Sequence, residues 1–136
     1  MTPPARKIAA AFAASLDAED YRRAAALLAD DCHYECRGAT YRGPSEIIAR
    51  YRESGDFVRR NLDRYAYESD IIATDGNEVR IRFRDVLQKS EVRFEFECEQ
   101  VLAIDTTGRI AAIRHIDLLG HTEALARFFR DTGIRP

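Results

Sequence analysis

Val79-Arg80-Ile81-Arg82-Phe83-Arg84 and, a little further on, Val92-Arg93-Phe94-Glu95-Phe96-Glu97-Cys98-Glu99-Gln100 alternate almost without error between apolar and polar residues. Period-two alternation describes strands with one covered face and one wet face. Folded back as an antiparallel hairpin around Lys89-Ser90, the two stretches would pair Arg84 with Glu95, Arg82 with Glu97 and Arg80 with Glu99. Each exposed pair contributes only ~0.2–1 kcal/mol. A slip of one residue, however, would turn every charge into the interior, so the register is expected to be well specified. The inner face then reads Val79, Ile81, Phe83, Asp85, Val92, Phe94, Phe96, Cys98 and Gln100. This is an apolar wall carrying a few polar groups, suited to a core or to a pocket.

The rest of the composition narrows what such a wall can serve. A chain of 136 residues can bury a core as one domain spanning 1–136, without metal or disulfide support. The formal net charge of -2 gives no global basic field, so neither nucleic acid nor a membrane surface is expected as a partner. Arg22-Arg23 and Arg59-Arg60 read as solvated helix faces. Cys32, Cys36 and Cys98 make an odd count without metal-type spacing. Cys32 and Cys36 fall on one face of a strand, roughly 13 Å apart, too far to bridge each other or to share one ion. A reduced, cytoplasmic protein without metal or cofactor is the expectation. No apolar run reaches the length of a membrane span. Ile8–Leu16 after Arg6-Lys7 imitates a short secretory signal, but Ile8, Phe12 and Leu16 recur at helical spacing and read as an amphipathic helix.

Period 3.6 dominates the first part of the chain. A helix is expected over about 5–16, and a second from the capping-box-like Asp17-Ala18-Glu19-Asp20 to about Asp30. A short strand covers 32–37. Gly43-Pro44 opens a third helix with Ile47, Ile48 and Tyr51 as its buried stripe, ended or interrupted at Ser54-Gly55. Strands follow over 65–73, 78–88, 91–104 and 109–119, and a closing amphipathic helix over 123–131 ends at Gly133. Helices first and antiparallel strands after describe an α+β domain.

Phe12-Ala-Ala-Ser-Leu-Asp-Ala-Glu-Asp20 with Leu27-Leu28-Ala29-Asp30-Asp31 resembles the opening of the nuclear-transport-factor-two-like superfamily, which includes SnoaL-type polyketide cyclases, ketosteroid isomerases and scytalone dehydratase. Tyr41-Arg-Gly-Pro-Ser-Glu-Ile-Ile48 is similar to the superfamily's entry into its third helix, and Thr107-Gly-Arg-Ile110 to its final turn. The resemblance spans 5–119 and leaves 120–136 as a helical extension. It implies a cone, with three helices wrapped by a curved, mainly antiparallel sheet and a pocket at the mouth. It also implies that Phe12, Cys36 and Gln100 occupy the positions of the isomerases' tyrosine and two carboxyl groups, so that machinery is absent.

By the same alignment Ala111, Ile113, His115 and Asp117 turn inward from the last strand. His115 and Asp117 share a face with Cα atoms roughly 6.5–7 Å apart, close enough to meet or to reach one ligand. As a catalytic pair, Asp117 would be the acid/base and His115 its partner. Asp117 could equally be wet, and His115 a satisfied core histidine. Gln100 or Tyr34 would orient a carbonyl. Phe83, Phe96, Cys98 and Ile113 would contact an apolar, mildly oxygenated ligand, with Cys36, Phe12 and Tyr51 beside them. Tyr65 or Tyr67 could line the mouth. Asp85, near the hairpin tip, would face solvent or an arginine, or reach the ligand. The leading expectation is a small-molecule enzyme of the cyclase, isomerase or dehydratase kind. The alternative is a non-catalytic ligand-binding or dimerisation domain. Superfamily members often pair through the outer sheet face, which makes a homodimer the expected assembly.

Overall fold

Four helices pack against one face of a six-stranded sheet in the computed structural model, which describes residues 4–136. Helix α1 (Ala5–Asp17) buries Ala9, Phe12 and Ala13 on a single side, as their spacing requires. Helix α2 is shorter than expected, Tyr21–Ala26, and its N-cap is Asp20, whose carboxylate accepts from the Arg23 amide at 3.2 Å. The expected second helical half is already strand. Leu28 and Ala29 are buried in β1 (Leu28–Cys36), where the Ile110 amide donates to the Leu27 carbonyl. Backbone pairing with the last strand thus overrides the local helical pattern.

Strand β2 (Ala39–Arg42) closes a two-residue hairpin with β1, and α3 (Pro44–Asn61) follows without a break. Gly55 does not interrupt α3. A Cβ there would stand 2.5 Å from the Tyr21 hydroxyl, so the glycine is a point of close helix approach. Strands β3 (Arg64–Asp75), β4 (Glu78–Lys89), β5 (Val92–Ile104) and β6 (Ile110–Asp117) then meander antiparallel, before α4 (His121–Thr132). The sheet order is β2-β1-β6-β5-β4-β3, with β1 and β6 parallel. The sheet is curved and does not close, and the chain is the expected α+β cone.

The β4–β5 hairpin keeps its expected parity but not its expected partners. Arg82 faces Glu99, Arg84 faces Glu97 and Val86 faces Glu95, a displacement of two residues. The turn is Ser90-Glu91, with Ser90 at φ 55. Asp63 fixes it there, since its carboxylate accepts from the Ser90 amide at 2.7 Å and its own amide donates to the Gln88 carbonyl at 2.9 Å. Moving by two preserves every inward residue, so hydrophobic patterning cannot distinguish the two registers. On the outer face Glu99 is only 5% exposed, because Arg80 and Arg82 both donate to it.

The main core joins Phe12, Leu28, Ile47, Ile81, Leu102, Ile110 and Ile113 under the helices. A second cluster of Leu62, Leu87, Phe128 and Ile134 anchors α4 and the C-terminal residues over the other end of the sheet. Val92, expected inside, is 45% exposed at the hairpin tip. Cys32, Cys36 and Cys98 are free thiols, and no described helix is long and apolar enough to cross a membrane.

Candidate active site

Between the two clusters the concave face of the sheet stays uncovered and bounds a pocket of about 580 Å³. Strand parity delivers one row of side chains into it. Gln100 on β5 pairs with His115 on β6, and both point inward, as does Tyr34 on β1. Helix α3 supplies Tyr51 from above. The Tyr51 hydroxyl donates to Gln100 Oε1 at 2.7 Å, and Gln100 Nε2 donates to the Tyr34 hydroxyl at 3.1 Å. The two phenol rings stack with centroids 5.2 Å apart. Gln100 Nε2 also lies 3.4 Å from His115 Nδ1, which assigns Nδ1 as the acceptor and Nε2 as the protonated nitrogen. His115 Nε2 then donates to Asp117 Oδ1 at 2.8 Å. The far side of Asp117 is gripped by Arg37, whose Nε and terminal nitrogen each reach a carboxylate oxygen at 2.7 Å.

The chain Tyr51–Gln100–His115–Asp117–Arg37 sets the protonation states along it. The Arg37 fork, helped by His115, holds the Asp117 carboxyl down to about 2, against the opposing effect of partial burial. Burial pushes His115 below the ordinary imidazole value, outweighing the attraction of Asp117, while Arg37 and Arg50 push the same way. His115 is therefore a neutral imidazole near pH 7. Burial also raises both phenols, so Tyr34 and Tyr51 remain protonated donors. Tyr34 accepts from Gln100, and its own proton faces the Cys36 sulfur, a weak acceptor that a ligand oxygen can displace.

A second polar pole lies further along the same face. Asp85 on β4 pairs with Phe96 on β5 and Tyr67 on β3. It sits four residues along β4 from Ile81, the residue opposite Gln100, which places the poles roughly 13 Å apart along the strand. The expected arginine partner for Asp85 is absent among the described residues; Arg84 points to the outer face, toward Glu68, Glu95 and Glu97. Asp85 lines the pocket instead, where burial and the nearby charge of Asp17 push its carboxyl up to about 7. Asp17, in the last turn of α1, also lines the pocket and accepts from the Ser69 hydroxyl at 2.5 Å.

Of the expected contact residues, Gln100, Tyr34, Cys36, Tyr51, Phe83, Phe96, Cys98, Asp85 and His115 all face this space. Phe12 and Ile113 do not. They are at most 1% exposed in the core beneath, where Phe12 packs edge-on against Tyr51. Asp117 stands behind His115 and does not line the pocket. Tyr67 lines it, whereas Tyr65 turns to Glu19. Arg37, Arg50 and Asp17 were not singled out from sequence. Arg37-Gly38 is the whole loop of a two-residue hairpin, and that brevity alone places Arg37 beside the end of β6. Among the described residues no three His, Cys, Asp or Glu side chains converge as metal ligands.

No family model matches the chain, and no curated protein matches it. Solved structures do. An LEH-like epoxide hydrolase of Mycobacterium tuberculosis is 28% identical over 90% of both chains, with a TM-score of 0.65. A SnoaL-like polyketide-cyclase-type protein of Shewanella denitrificans is 13% identical over 91% of this chain and 97% of its own, at 0.70. A ketosteroid isomerase-like protein of Kribbella flavida is 17% identical over 82% and 75%, at 0.65. The fold agrees with these structures and is that of the nuclear-transport-factor-two-like cone.

Proposed function

We propose that the protein is a small-molecule enzyme of the cyclase, isomerase or dehydratase type, acting by proton transfer on an apolar, oxygenated substrate. The observation that carries this reading is the hydrogen-bonded chain that presents a neutral imidazole and a phenol donor together on the pocket wall. The substrate carbonyl accepts from the Tyr34 hydroxyl, with Gln100 and Tyr51 fixing that phenol in place. His115 Nδ1, held only at 3.4 Å by Gln100, takes a proton from the carbon beside the carbonyl. Electron density moves to the oxygen, where Tyr34 supports the developing charge. Asp117 stabilises the imidazolium that forms, and the proton returns from His115 to a different atom. Asp117 so placed is a positioning group, because Arg37 keeps it ionised. The neighbours' names support the general reaction family and leave the substrate open.

The alternative is a binding domain without turnover, favoured by the complete hydrogen bonding of His115. A thermal-shift screen of cyclic ketones and lactones, followed by deuterium uptake at the α-carbon by NMR, separates the two. The active-site reading expects uptake in the wild type, its loss in His115→Ala, and a large reduction in Asp117→Asn, with both variants folded. Uptake at the wild-type rate in both variants would leave only the binding reading. We also propose a homodimer through the outer sheet face; a monomer by light scattering at micromolar concentration would refute it.

A further inference from the structure

The acid/base chemistry above uses one pole of the pocket and leaves the other without a role. Asp85 and Asp17 both face the cavity, and neither forms an ion pair among the described residues. Asp85 has no protein hydrogen-bond donor there either. Asp17 is satisfied on one oxygen only, by Ser69. A half-buried carboxyl without a protein partner is left to water or to a ligand.

The surroundings deepen the negative potential instead of relieving it. Asp17 stands in the last turn of α1, where the helix carbonyls point toward it. Glu68 and Asp70 on β3 add their charge to Asp17. Glu19 is close by and is engaged by Arg59 and Tyr65. The two arginines that line the pocket belong to the other pole: Arg37 is committed to Asp117, and Arg50, bonded to Ser54, exerts its field on Tyr34 and His115. Tyr67 and Phe83 supply aromatic surface beside Asp85, which favours a cation further.

We propose that Asp85 and Asp17 form a cation subsite, and that the natural ligand carries a protonated amine that docks there. This names the substrate class of the site proposed above and rests on that reading. The amine would lie on the order of 10 Å from the carbonyl oriented by Tyr34 and Gln100, given the spacing of the poles along the strand. The molecule is then an amino ketone or amino ester with an apolar body.

Three probes with one body and different ends test the assignment: 4-phenylbutylamine, 4-phenylbutan-1-ol and 4-phenylbutyrate, titrated calorimetrically at pH 7.5. The wild type is expected to bind the amine at least tenfold more tightly than the alcohol and to bind the carboxylate worst. Asp85→Asn should remove the amine's advantage without weakening the alcohol, and Asp17→Asn should reduce the same advantage. Thermal melts confirm that each variant is folded. Equal affinity for amine and alcohol overturns the cation subsite and leaves the pocket reading intact. Tightest binding of the carboxylate overturns it in favour of Arg50 as the anchor. Failure of all three probes to bind defeats both readings together.

Discussion

The His115 pole and the Asp85 pole stand on the same concave face and arise from the same alternating pattern, yet they treat polar groups in opposite ways. At the first, the side chains are linked into one hydrogen-bonded chain, from Tyr51 through Gln100 and His115 to Asp117 and Arg37. At the second, two half-buried carboxyls face the cavity with one hydroxyl donor between them. A satisfied network fixes side chains in one geometry, which is what orienting a substrate requires. An unmatched charge instead stores free energy that a complementary ligand releases. The difference assigns geometry to one end and affinity to the other.

The largest expected effect comes from abolishing the unmatched charge. Burial, helped by the charge of Asp17, pushes the Asp85 carboxyl up to about 7 from its ordinary value of 3.8. Between those values the folded state binds more protons than the unfolded state, so this group makes stability fall as pH rises from about 4 to 7. At 1.36 kcal/mol per unit, the full span corresponds to on the order of 4 kcal/mol. Asp85→Asn is therefore expected to be more stable than the wild type at pH 7 and close to it at pH 4. Asp17, also raised by burial, contributes a slope of the same sign. Asp117 behaves oppositely: its contribution is present above its unfolded value and is lost as pH falls through about 2. Urea unfolding at pH 4, 5.5 and 7 measures the contrast. Parallel profiles for wild type and variant would break it.

A middle-sized effect follows from opening the satisfied pole. Gln100→Leu keeps the volume near constant but leaves the Tyr51 hydroxyl without its acceptor and Tyr34 without its donor. A loss of ~1–3 kcal/mol in urea unfolding is expected. The loss should be the same at pH 7 and pH 8, where both phenols stay protonated and His115 stays neutral. A neutral or stabilising result would show that the chain is held by packing alone.

Much of this is legible in the sequence. Alternation in 79–84 and 92–100 fixed which residues face inward, and that parity survived a two-residue displacement of register. The pocket's Gln100, Tyr34, Phe83 and Phe96 follow from parity. What patterning could not supply was depth. Ile113 shares the inward sense of the pocket residues and Phe12 faces the sheet from α1, but both are buried in the core between helix and sheet. In the sequence Asp85 reads as a tip residue from its closeness to the turn; α4 and the second cluster extend the enclosed region past it. Asp63, which sets the hairpin register, acts from the preceding loop, and no pattern within the two strands points to it.

Arg37 offers the smallest and sharpest test. It occupies the first position of the two-residue β1–β2 loop with φ 48, followed by Gly38 at φ 83, the conformation of a type I′ turn. Arginine is disfavoured there, whereas asparagine is at home. Its side chain is 45% exposed and that of Asp117 32%, so the pair itself adds little to stability. In Arg37→Asn, relief of the turn should offset loss of the fork, leaving unfolding within about 1 kcal/mol of the wild type. The imidazole should nevertheless respond. Arg37 now pushes His115 toward the neutral form and draws on the charge of Asp117. Without it, Asp117 pairs with His115 alone, and the imidazole pKa is expected to rise in an NMR titration. An unmoved His115 with unchanged stability would reduce Arg37 to a surface residue and uncouple the first pole from the loop that ends it.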